Sequence, residues 1–181
     1  MSSVSMRWFK DQVLDGVRGS SDQAWRAYRS HLEEIVERLP AEVRRAVTDP
    51  DLDLHDNRIL ELLVDGGSRE VSLVTARDRG TLVRILEFRF TGASIVPEDR
   101  HRLTLAISAE FPPNQWTSRR TTSVVHAAEY DLDTDGGGVL RIRLFPFHLF
   151  AVRFRDLRIS SRTEPAPRAR HGGRVRSLSP P

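Results

Sequence analysis

The sequence predicts an α+β domain: an N-terminal helical hairpin followed by a six- or seven-stranded, mainly antiparallel sheet, curved around a helix or half-closed. Three observations carry this. Apolar residues recur at helical spacing up to residue 39, the apolar period falls to two from Asn57 onward, and short Gly/Asp-rich turns divide the period-two runs. A chain of 181 residues is one domain by size and can bury a core without disulfides or metal. The expected body is residues 1–161, helical over 6–49 and β-rich over 57–160. Residues 162–181 form a tail.

Residues 6–16, MRWFKDQVLDG, are a short entry segment, and Met6 is a candidate start because MSSVS offers nothing that packs. A helix is expected over 21–39. Trp25, Tyr28, Leu32, Ile35 and Leu39 form one stripe, Ser20 and Gln23 make a capping-box pattern, and Arg29–Glu33 and Glu34–Arg38 are i,i+4 pairs on the wet side. Pro40 suits the first turn of a second helix, AEVRRAV, which Asp49-Pro50 ends.

The expected strands are 58–64, 69–76, 81–90, 102–109, 122–132, 139–146 and 149–159. Turn chemistry at 65–68, 78–80, 91–92 and 133–138 makes neighbours antiparallel. Val152 and Phe154 alternate with Arg153 and Arg155, and after Asp156 the apolar parity moves to Leu157 and Ile159, which predicts a β-bulge. Pro112-Pro113 makes 110–120, EFPPNQWTSRR, a long loop. The tail is rich in Arg, Pro, Gly and Ser, and is expected to be disordered because it cannot offset the entropy of ordering.

Composition excludes several functions. There is no cysteine, hence no disulfide, thiol nucleophile or Cys-held metal. No apolar run has transmembrane or signal-peptide length, so the expectation is a soluble cytoplasmic protein that does not engage a membrane. Of 28 basic residues only Lys10 is lysine. The tail carries five arginines and one glutamate, +4 of the net +3, which leaves −1 on residues 1–161. A nearly neutral body argues against a basic nucleic-acid-binding face.

The order of motifs resembles an uncharacterised family of small bacterial proteins, a domain of unknown function. The matching residues are Met6-Arg7-Trp8-Phe9, the Trp25/Tyr28 helix, Leu54-His55-Asp56 opening the β-rich half, and Glu129 in HAAEYDL. The resemblance covers about residues 6–160. It implies the same α+β architecture, a start at Met6 and an added tail, and no established activity.

Four places bear chemistry. In DLDLHDN, His55 and Asp56 are candidate metal ligands or a general base. The same letters also suit a turn entering a strand, with Asp56 or Asn57 bonding its backbone. His126 and Glu129 are candidates to complete such a site. His126 shares a face with Val124, Ala128 and Tyr130 in a regular strand, as a core histidine would, with Glu129 on the opposite face. Asp131, Asp133 and Asp135 before Gly136 give alternate oxygen ligands of calcium-loop type. Position twelve is Ile142 and a strand follows, so an acidic hairpin loop explains them equally. The Arg-rich tail offers a salt-dependent nucleic-acid contact, without aromatics to stack on bases.

There is no nucleophile elbow and no P-loop, so no cofactor is expected. The sheet's second face is expected to show Arg143, Arg153 and Arg155 beside Glu87 and Glu129. These features favour a protein-binding module of immunity or antitoxin kind over an enzyme. The alternative is a metal-dependent enzyme at His55 and Asp56.

Overall fold

The computed structural model of the chain describes residues 6–9, 20–65, 67–95, 124–145 and 148–166. The fold is α+β, with helices before a large antiparallel sheet. Helix α1 is Ser20–Ile35, followed by a 3-10 turn, Val36–Arg38. Helix α2 is Ala41–Thr48, followed by a second turn, Pro50–Leu52. The strands are β1 Arg58–Asp65, β2 Glu70–Arg79, β3 Leu82–Thr91, β4 Ser94–Ile95, β5 Val124–Leu132, β6 Gly138–Phe145, β7 His148–Phe154 and β8 Asp156–Pro165.

The expected helical stripe is the buried one: Tyr28, Ile35 and Leu39 are shielded, whereas Trp25 at its start is 43% exposed. Pro40 stands just before α2 rather than in its first turn, and its carbonyl accepts the Arg44 N–H. Val43 and Ala46 of α2 join Ile35 and Leu39 against one face of the sheet, where Leu73, Phe88, Phe90, Ile142, Phe150 and Phe154 form the core. Burying such side chains, at about 1.5–3 kcal/mol each, is the main term holding the layers together.

The strand order is β4-β7-β6-β5-β1-β2-β3-β8, with every neighbouring pair antiparallel. β3 runs into β4 through Gly92-Ala93, and β7 runs into β8 through Arg155. The register Thr91↔Asp156 of β3–β8 continues as Ser94↔Arg153 of β4–β7, three residues forward on one strand and three back on the other. These four strands are therefore one long bent ribbon, and the sheet curls until its two ends meet. Gly92 turns the corner at φ +59, and a Cβ there would stand 3.0 Å from the Arg155 side chain lying over it. At the opposite seam β1 and β5 share, among the described residues, the register pair Arg58↔Val124. There the Asp56 N–H donates to the Val125 carbonyl and the Val125 N–H to the Asn57 carbonyl.

The single strand expected over 149–159 is thus two strands with different partners. The parity change at Asp156 is a bend from one ladder into the next rather than a bulge within one. Strand β8 also takes residues 162–165, which sequence assigned to the tail, so the ordered body passes residue 161. Eight strands stand among the described residues instead of six or seven. The expected strand 102–109, the loop 110–120 and the remainder of the tail from 167 lie outside the described residues.

Gly138 faces Phe154 across the β6–β7 ladder, and a Cβ there would meet the ring at 2.4 Å. Gly138→Ala is expected to cost about 1–3 kcal/mol in urea unfolding, because the buried Phe154 ring has nowhere to move. A cost below about 0.5 kcal/mol would show the contact to be soft.

Candidate functional site

The turn DLDLHDN is built by its own carboxylates. Asp49 accepts the Asp51 N–H at 2.9 Å, capping the 3-10 turn, and Asp53 accepts the His55 N–H at 3.0 Å. Leu52 and Leu54 point into the core. Asp56 adopts φ +63, a left-handed geometry that Asp tolerates better than most residues. Asn57 is buried and its amide reaches Thr75 Oγ1 at 3.3 Å. Asp51 on the outside is held below the ordinary carboxylate value by its bond to Arg84, with Arg79 adding to it.

His55 and His126 come together. His55 Nδ1 lies 3.1 Å from Asp56 Oδ2, and the two imidazole rings stand 6.4 Å apart. His126 is the extra residue of a bulge in β5, between the pairs Val125↔Leu144 and Ala127↔Arg143. The bulge changes the parity expected for this strand. Val125, Ala128, Tyr130 and Leu132 pack on the main core, Ala127 joins a second cluster, and His126 stays half-buried beside His55. Burial, then the neighbouring His55 and Arg143, hold His126 below the ordinary imidazole value against the opposing pull of Asp56. The Asp56 carboxylate orients the His55 ring through its contact with Nδ1. Glu129 does not join them. Among the described residues no group of three or more His, Asp or Glu could hold a metal ion.

Glu129 instead clamps the entry segment. Its side chain is 0% exposed; Oε2 accepts the Arg7 N–H, and Oε1 accepts those of Trp8 and Phe9, each at 2.8 Å. Met6 and Phe9 pack with Ala24, Tyr28 and Ala127, and the Trp8 ring lies 5.1 Å from Tyr28 and 4.4 Å from His31. Two residues on, Asp131 meets His31 Nε2 at 2.9 Å, Arg141 Nη1 at 3.2 Å and Arg7 Nη1 at 3.4 Å. The Tyr28 hydroxyl accepts the Tyr130 N–H at 2.6 Å, and burial pushes both tyrosine hydroxyls far above their ordinary value. Glu129 is therefore not part of the exposed charged face assigned to it from sequence. Arg7, Trp8 and Phe9 at the N-terminus, Tyr28 and His31 of α1 and Glu129 and Asp131 of β5 meet at this one clamp.

The calcium-loop pattern does not converge. Asp131 belongs to the buried ion cluster, whereas Asp133 and Asp135 bond Thr134 within the β5–β6 hairpin, closed by Asp133 N–H to Gly137 carbonyl at 2.8 Å. Gly136 supplies the positive φ of +79.

Sequence reasoning missed the corner where β7 passes into β8 as a distinct surface. Among the described residues β8 pairs with β3 on one side only, and 160–165 are exposed. Arg153, Arg155 and Arg158 are exposed there, with no acidic partner among the described residues. Arg158 stands directly opposite Arg89, which Glu87 neutralises at 2.6 Å. The expected mixed-charge face is thus basic at this corner. Arg143 is half-buried and belongs to the His126 surroundings instead.

No family model matches the chain and no curated protein matches it. Among the described residues no helix is long and apolar enough to cross a membrane.

Burial alone would raise the Asp131 carboxyl, but the bonds from His31, the Leu132 N–H and Arg141 outweigh it and hold it below the ordinary value. Its contribution to stability is thus fully present above the unfolded pKa of about 3.9 and is lost as pH falls through the lower folded value. The gap in unfolding free energy between the native chain and Asp131→Asn is expected to narrow over that acid range. Parallel pH profiles would show that the carboxylate is not held by these bonds.

Proposed function

We propose that this protein is a protein-binding module that takes an extended acidic segment of its partner along the open edge of β8. Binding of this kind holds a partner as an immunity protein or antitoxin does. The observation that carries the reading is a ten-residue strand that, among the described residues, stands at the sheet edge with an Arg158 that has no acidic partner. Glu87 neutralises Arg89 and leaves the Arg158 charge to be met by an acidic side chain arriving on the added strand. An open edge supplies main-chain hydrogen bonds for affinity, and the side chains beside it supply selectivity. Arg158, Arg162 and Pro165 also discourage the edge from pairing with its own kind. The enzyme reading at His55 and Asp56 ranks second, since the described residues offer it two imidazoles and a carboxylate already bonded to one of them.

A photoreactive side chain at Ser161 in the native host is expected to capture one dominant partner. Binding of that partner should weaken about tenfold or more in Arg155→Glu/Arg158→Glu, equivalent to about 1.4 kcal/mol. The unfolding midpoint should hold, as both side chains are exposed. No captured species, or capture indifferent to charge reversal, would refute the reading.

A further inference from the structure

A hollow of about 230 Å³ lies at the β1–β5 seam, where α1, α2 and the Pro50–Leu52 turn close over β5. It is the space left between the helical hairpin, the segment Asp49–Leu54 and the β5 residues Ala128 and Tyr130. Leu32, Val47, Leu54 and Ala128 make its walls apolar, and Trp25 stands at the side with nearly half its surface in solvent. The charged groups lining it are Asp49 and Asp53. Among the described residues no arginine, lysine or histidine lines it.

Both carboxylates are fixed before any ligand arrives. Asp49 is held through Oδ1 by the Asp51 N–H, and Asp53 through Oδ1 by the His55 N–H. Each keeps its second oxygen clear of any bond among the described residues. Carboxylates already held in place need little reorganisation to meet a cation, which is what gives electrostatic selectivity. The half-exposed indole of Trp25 adds an aromatic surface on which a ligand ring can pack. The hollow is smaller than the 300–1,000 Å³ or so of sites for drug-sized molecules, so it suits one ring and a short chain.

We propose that this hollow is a binding site for a small organic monocation, an amine carried on a single aromatic or aliphatic ring. The ring occupies the apolar walls beside Trp25, and the ammonium meets Asp49 and Asp53. The site is independent of the β8 edge, so either assignment can fail without the other.

The test uses the full chain, ¹⁵N- and methyl-labelled, titrated with 2-phenylethylamine, its neutral counterpart 2-phenylethanol and the anion 3-phenylpropionate. The amine is expected to shift the Trp25 indole and the Ala128 methyl signals and to bind about tenfold or more tighter than the alcohol, with no binding of the anion. Asp49→Asn/Asp53→Asn keeps the turn-capping oxygens and should bring the amine down to the level of the alcohol. Thr48→Arg places a cation on an exposed residue of the lining and should abolish amine binding while leaving the fold intact. Equal binding of amine and alcohol, amine shifts elsewhere on the surface, or no shifts at millimolar amine would overturn the proposal.

Discussion

The buried carboxylate of Glu129 is the constraint on which the arrangement of this molecule turns. Removing a charge from water costs several kcal/mol unless hydrogen bonds satisfy it. Here three consecutive backbone N–H groups, those of Arg7, Trp8 and Phe9, offset that cost with short, charge-assisted bonds. Successive N–H groups turned toward one point form an anion-binding nest, and the anion is supplied from 120 residues away in the chain. The consequence is positional. Phe9 is fixed against Trp25 and Tyr28, at ring separations of 4.6 and 5.5 Å, and that fixes the side of α1 facing β5. The Tyr28 hydroxyl then takes the Tyr130 N–H, so a side chain of α1 serves as a bonding partner for the seam strand.

From that seam the other features follow. The helical hairpin packs beside that seam and places α2 against the inner face of the sheet. The sheet closes through the bent ribbon β3–β4 with β7–β8, and among the described residues its free edge is at β8, with the arginines at the corner. The molecule thus has two openings of different chemistry. One is an acidic hollow at the seam, and the other is a basic edge at the corner.

Much of this was legible in the sequence where the determinants are local. The Trp25–Leu39 stripe, the Pro40 start of α2, and the turn chemistry of Asp65 and Gly136 each act within a few residues, and the elements lie where those signals put them. The Asp65 carboxylate, for instance, bonds Gly67 and Ser68 in its own turn and is held low by those bonds. What was not legible depends on partners distant in the chain. The parity change at Asp156 announced a local irregularity, but only the pairing with Thr91 shows that the strand changes ladders. The bulge at His126 is invisible in VVHAAEYDL, because nothing local marks which residue the opposite strand skips. Glu129 was expected on a charged sheet face and Asp131 in an acidic hairpin loop of calcium-loop type. The available signal was two acids at alternate positions in an otherwise apolar strand, read together with an N-terminal MRWF that had no other packing role.

The most direct test of the Glu129 clamp is amide hydrogen exchange at Arg7, Trp8 and Phe9 in the native chain and in Glu129→Gln. The amide side chain is nearly isosteric but presents an NH2 group to one of the N–H donors it must accept. Bonds to a charged acceptor are worth about 1.5–3 kcal/mol each, so losing one should lower protection of this segment about tenfold or more. Amides of the β2–β3 ladder, away from the clamp, should keep theirs. Unchanged protection at residues 7–9 in the glutamine variant would contradict the claim that the buried charge of Glu129 holds the N-terminal segment in place.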